Sequence, residues 1–163
     1  LAGRTGCGLC GVDSIAEALR PIPRLAATTR ISAAAIDRAV AAFPHDQPLN
    51  HLTGATHAAA FADLSGEIGL LREDVGRHNA LDKLIGALAA AGVDPASGFV
   101  VVSSRCSYEM VHKTAATGIP LIASVSAPTG LAVDLAEKVG IGLAAYAREG
   151  RFTVYAGCDR ITE

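Results

Sequence analysis

The chain has 163 residues, half of them hydrophobic and 18% charged, which supports one compact domain with a real core and excludes a disordered chain. Its 14 Lys and Arg against 16 Asp and Glu leave a net charge of -2, which excludes a global basic field recruiting nucleic acid or an anionic membrane. Four cysteines are too few for a disulfide scaffold, and no signal peptide or apolar run of membrane length occurs, so a reducing cytoplasmic setting is expected.

The chain opens on Gly3-Arg4-Thr5-Gly6-Cys7-Gly8-Leu9-Cys10-Gly11, four glycines around a C-x-x-C pair with no apolar strand ahead of it. This reads as a mobile loop over residues 1–12 that carries accessible thiols, because glycine lets a partner or substrate approach the sulfur closely. A thiolate attacks far better than a thiol, and a following helix N-terminus lowers the pKa of a nearby cysteine. The spacing alone leaves redox exchange, zinc binding and sulfur relay open. Cys106 and Cys158 stand singly, not as a second C-x-x-C for a structural zinc site. Leu1 in place of Met marks the sequence as a fragment whose upstream region is expected to be missing.

Residues 13–163 read as a single α/β domain. Ser14 and Glu17 have capping-box spacing ahead of a short helix that Pro21 stops. Ser32 caps an alanine-rich helix to about Phe43, residues 45–49 read as a proline-marked break, and 51–54 as a turn or short helix. Two strands follow, 56–63 and 67–72, joined by Leu64-Ser65-Gly66. Thereafter helices at 77–91, 108–117 and 129–139 alternate with strands at 99–103, 121–125 and 142–147, and a last strand covers 152–156. A hairpin followed by parallel βα units implies a mixed central sheet with helices on both faces, and ligands in such sheets bind beyond the carboxyl ends of the strands.

Three strand-to-helix turns at those ends are unusually polar: Arg72 to Asn79, Ser103 to Glu109, and Ser124 to Thr129. Each offers helix N-terminal N–H groups suited to phosphate, and Arg77 and Arg105 add bidentate forks. Taken singly, each turn reads first as an ordinary cap with salt bridges; three at one rim read as a binding site. His78 fits capping or phosphate contact, and His57 fits a satisfied core histidine. His45, His51 and His112 read as surface or packing residues. The segment Tyr146 to Phe152 combines an aromatic, two arginines and a glycine, which suits a base and a phosphate as well as it suits a plain hairpin turn.

In family order, Cys7-Gly8-Leu9-Cys10-Gly11, Thr53 to Ala59, Glu73 to Lys83, Ser107 to Val111 and Ser124 to Thr129 together resemble the formate dehydrogenase accessory protein family, FdhD, over nearly the whole chain. The resemblance implies a three-layer α/β/α, cytidine-deaminase-like fold. It further implies a sulfurtransferase that receives a cysteine persulfide from a cysteine desulfurase and delivers the sulfur to a bis-molybdopterin guanine dinucleotide cofactor bound for formate dehydrogenase. Cys7 is then the persulfide carrier and Cys10 the supporting thiol. Tyr146, Ala147, Arg148, Glu149, Gly150 and Arg151 match the family's cofactor-binding segment, and Arg77, His78, Ser103, Arg105 and Ser126 from the three turns complete the expected set. GDP is the natural mimic of the cargo, and a homodimer is compatible with the family.

The chain departs from its resemblance at Ser103-Ser104-Arg105-Cys106, where Cys106 is expected to be a packing residue because free cysteine is commonly buried. A cofactor-binding chaperone without sulfur transfer is the alternative reading. A zinc nucleobase deaminase is the more distant one, since that chemistry needs H-x-E and P-C-x-x-C motifs. His78-Asn79-Ala80 lacks the glutamate and Arg105 to Glu109 lacks the proline and second cysteine, so catalytic zinc is not expected.

Overall fold

A computed structural model describes residues 22–148 and 150–163; the C-x-x-C pair, the helix expected after it and Glu149 lie outside the described residues. The first strand, β1 (Ile31–Ser32), leads into helix α1 (Ala33–Ala42), whose first turn is closed by the Ser32 hydroxyl accepting the Ala35 N–H at 3.1 Å. A 3-10 turn at Phe43–Asp46 precedes α2 (Pro48–Thr53). The hairpin strands are β2 (His57–Asp63) and β3 (Ile68–Asp74), followed by α3 (Arg77–Ala91), β4 (Gly98–Val102), α4 (Tyr108–Thr117), β5 (Leu121–Ser124) and α5 (Gly130–Val139). The hairpin β6 (Gly142–Arg148) and β7 (Arg151–Ala156) and a short β8 (Ile161–Thr162) complete the described chain.

The main sheet has the order β3-β2-β4-β5-β6-β7. β4, β5 and β6 are parallel, while β2 and β7 run antiparallel to their neighbours, so β3 points the same way as the parallel strands. This is the mixed sheet expected from a hairpin followed by βα units. Side chains alternate between its faces. Ala59, Phe61, Val100, Val102 and Ile122 meet Leu81 and Leu84 of α3, Met110 and Val111 of α4, and Leu135 of α5 on one side. Ala58, Ala60, Phe99, Val101 and Ala123 meet Ile36, Ala39 and Phe43 on the other. Helices α3, α4 and α5 therefore cover one face and α1 the other. Each fully buried Leu, Ile or Phe stabilises the fold by roughly 2 kcal/mol.

The hairpin tip touches the lone helix. Gly66 adopts φ 86°, and a Cβ there would run into the Ala35 carbonyl of α1, so only glycine fits both the turn and the approach. Asp63 holds that turn by accepting the N–H groups of Ser65 at 2.8 Å and Glu67 at 3.0 Å.

Two differences from the sequence reading have clear causes. The expected break at residues 45–49 instead contains the start of α2, because Pro48 pre-sets the first helical φ and the buried Glu73 carboxylate accepts the N–H groups of Leu49 and Asn50 at 2.9 and 2.8 Å. A parallel pair of β1 with β8 joins Ile31 to Ile161 and Ser32 to Thr162, a contact that two isolated dipeptides do not announce.

Candidate functional site

The strand directions bring the three polar turns to one rim. β3 ends there at Asp74, β4 at Val102, β5 at Ser124 and β6 at Arg148, and β2 begins there at His57, which faces Asp74 in register. Hydrogen bonds lace the turns together. Ser103 Oγ accepts the Ala58 N–H at 2.9 Å, and the buried Ser124 hydroxyl donates to the Ser104 carbonyl at 2.7 Å. The Cys106 N–H donates to the Ala127 carbonyl at 3.1 Å and the Thr129 N–H to the Cys106 carbonyl at 2.9 Å, forming a parallel bridge between Cys106 and Pro128. Ser126 accepts the Tyr146 N–H at 3.3 Å, which ties the third turn to the end of β6.

Cys106 is fully buried in this lacing, and burial pushes its thiol up to about 12, so at neutral pH it is a packing residue and not a nucleophile. Arg105, beside it, is exposed.

The first turn is braced by Asp74. Its Oδ1 accepts the Gly76 N–H at 2.9 Å and the Asn79 amide at 3.2 Å, while its Oδ2 meets Lys83 Nζ. Those partners, Lys83 first, hold the carboxyl down at about 2. Lys83 also donates to the Glu73 carbonyl at 3.2 Å. Arg77 and His78 are thus presented from a rigid turn at the start of α3.

Two histidines share the Arg77 guanidinium as a neighbour. His57, half-buried at the head of β2, and His78, 8% exposed, are both held below the ordinary histidine value by burial first and by Arg77 second. Arg77 Nε is itself buried with no hydrogen-bond partner, the one such side-chain atom among the described residues. His78 Nε2 reaches Ser107 Oγ at 3.4 Å, and the Ser107 hydroxyl donates to Glu109 Oε2 at 2.6 Å. This connects the first turn to the second, with His78 Nε2 3.8 Å from Glu109 Oε2.

At the end of β6 the pairing with β7 shifts register between Ala145 and Arg148. Tyr146 sits in that bulge at φ 52°, the only non-glycine residue of positive φ among the described residues. Its ring is 44% exposed, and its centroid lies 6.4 Å from that of Tyr155 on β7. A bulky residue in this conformation is strained, and such strain concentrates where a bulge aims a side chain. Arg148 pairs with Arg151, and Gly150 ahead of Arg151 adopts φ 71°. Ala147 is buried in the core beside α1, so only its backbone is offered to the rim.

The structure therefore brings Arg77, His78, Ser103, Arg105 and Ser126 to the same end of the sheet as Tyr146, Arg148 and Arg151. It adds His57, Ser107, Glu109 and Tyr155, which sequence reasoning did not assign. His57 and Glu109 stood inside quoted motifs, but their convergence on the residues around Arg77 depends on strand order. Among the described residues no group of three or more His, Cys, Asp or Glu is placed to hold a metal ion. No helix among them is long and apolar enough to cross a membrane.

The model of the FdhD/NarQ family matches residues 1–162. The chain belongs to that family. Curated FdhD/NarQ relatives named sulfur carrier protein FdhD include one from Bordetella petrii, 50% identical over 99% of this chain and 58% of the relative. Another, from Xanthomonas campestris pv. campestris, is 52% identical over 99% of this chain and 57% of the relative. The chain thus spans under three-fifths of the length of the curated family members it matches. A crystal structure of a candidate formate dehydrogenase accessory protein from Desulfotalea psychrophila aligns with a TM-score of 0.78 and 32% identity, covering 86% of this chain and 62% of that one.

Proposed function

We propose that this chain is the part of a sulfur carrier that takes sulfur as a persulfide on Cys7 and delivers it to a bis-molybdopterin guanine dinucleotide held at the rim, in the service of formate dehydrogenase. The donor is a cysteine desulfurase: the Cys7 thiolate attacks the donor's outer persulfide sulfur, a new S–S bond forms, and the donor cysteine leaves as its thiolate. Cys10 then serves as the supporting thiol. Its attack on Cys7 Sγ forms a Cys7–Cys10 disulfide and releases the outer sulfur as sulfide, the two cysteines supplying both electrons.

The observation that carries this reading is the convergence of three helix-leading turns, Arg77, Arg148 and Arg151, and an exposed strained tyrosine at one sheet end. Helix N-termini and arginines suit pyrophosphate, and an aromatic face suits guanine. The names of the curated relatives support sulfur transport, and the name of the structural neighbour supports the link to formate dehydrogenase. The strand order, with a hairpin ahead of parallel βα units, also favours a cytidine-deaminase-like fold. We place the protein in the cytoplasm.

The decisive experiment incubates the protein with a desulfurase and cysteine and weighs the peptide containing Cys7. A gain of one sulfur is expected, absent in Cys7→Ala, which should also fail to restore formate dehydrogenase activity. Full restoration by Cys7→Ala would overturn the relay and leave a cofactor-binding chaperone.

A further inference from the structure

We propose that His78 is the proton-linked group of the rim, taking up a proton at Nδ1 when a phosphate-bearing ligand binds, and that Glu109, acting through Ser107, is its positioning residue. This rests on the reading that the rim binds a guanine nucleotide.

The contacts of Ser107 favour one tautomer of the ring. The Ser107 hydroxyl spends its hydrogen on Glu109 Oε2 at 2.6 Å, so its oxygen is left to accept from His78 Nε2 at 3.4 Å. In the neutral ring the proton therefore resides on Nε2 and the lone pair on Nδ1, where a second proton must add.

Charges of both signs face the ring before a ligand arrives. Arg77 on α3 opposes protonation and Glu109 on α4 favours it. Lys113 on α4 and Asp82 on α3 act in opposite senses and are joined to each other at 2.6 Å. His57, across on β2, competes for the same Arg77 neighbourhood. Burial then tips His78 to the neutral side. An anion at the N-termini of α3 and α4 would add negative charge beside an imidazole whose desolvation Glu109 and Asp82 only partly offset. By linkage, a ligand that raises the histidine pKa is itself bound more tightly as the pH falls.

The test follows the imidazole resonances of the whole chain by NMR through a pH titration, alone and with saturating GDP. The His78 signal is assigned by its loss in His78→Gln, or, if that variant does not fold, by elimination through glutamine variants of His45, His51, His57 and His112. The expected result is a titration midpoint that rises by about one unit on adding GDP, equivalent to roughly tenfold tighter binding at low pH than at high. Glu109→Gln should lower the midpoint in the free protein while GDP still raises it, a response that a merely structural residue would not produce. GDP binding with the His78 midpoint unmoved, or with only that of His57 displaced, overturns this inference and spares the nucleotide site. No GDP binding at any pH overturns both.

Discussion

Two arginines at opposite ends of the sheet meet burial differently. Arg160, 9% exposed at the end where β6 begins, donates Nε to the Gly140 carbonyl and a terminal nitrogen to the Ala27 carbonyl at 2.7 Å. Arg77, at the rim, keeps a buried Nε that no protein atom accepts. Buried polar groups are almost always paired, so the first arginine follows the rule and the second is the exception among the described residues. The difference separates the end that closes the fold from the end proposed to hold the cargo.

The largest test of that contrast is Arg160→Ala, which leaves two carbonyls without their donor. It is expected to destabilise the protein by about 2–3 kcal/mol in urea denaturation without changing GDP affinity. Arg77→Ala should do the reverse, weakening GDP binding about tenfold in calorimetry with a stability change under about 1 kcal/mol. If both changes fell on stability alone, the contrast would collapse. Next comes pH. His57 and His78 are both depressed by the fold, so the folded state binds fewer protons than the unfolded one. Stability is complete above the ordinary histidine value of about 6.5 and declines as the pH falls through it. The melting temperature should drop between pH 7.5 and 5.5, and GDP should recover part of that loss. Asp74, depressed to about 2, stabilises the fold separately, and that contribution is lost only as the pH falls below about 4. The smallest effect is expected from Tyr155→Leu, a few-fold loss of GDP affinity through a less well-supported Tyr146 ring. Unchanged affinity would remove Tyr155 from the site.

Much of the fold was legible because local chemistry and tertiary structure agree. α3 runs from Arg77 to Ala91 as its apolar period predicts and ends at Gly92 in the left-handed region, and Ser32 caps α1 as its type and place require. The central strands β4 and β5 are apolar runs bounded by turn residues, as fully buried strands must be. What stayed hidden depends on distant partners. α2 owes its first turn to Glu73, 24 positions beyond Leu49, and no local pattern encodes that bond. The same holds at the site: three polar turns were readable one by one, but the His78–Ser107–Glu109 link spans separate helices and appears only once α3 and α4 lie side by side. The bulge at Tyr146 was equally opaque, since tyrosine is a good strand residue and its positive φ reflects the register shift against β7.

The small parallel clasp between Ile31–Ser32 and Ile161–Thr162 carries a kinetic consequence. Joining it closes a loop of about 130 residues, beside the buried Ile31 and the Arg160 bond to the Ala27 carbonyl, which makes it a late step in folding. Amide hydrogens of Ile161 and Ser32 should exchange with solvent well before those of Val101 or Ile122, so the two extremities of the domain can part while the sheet between them stays shut.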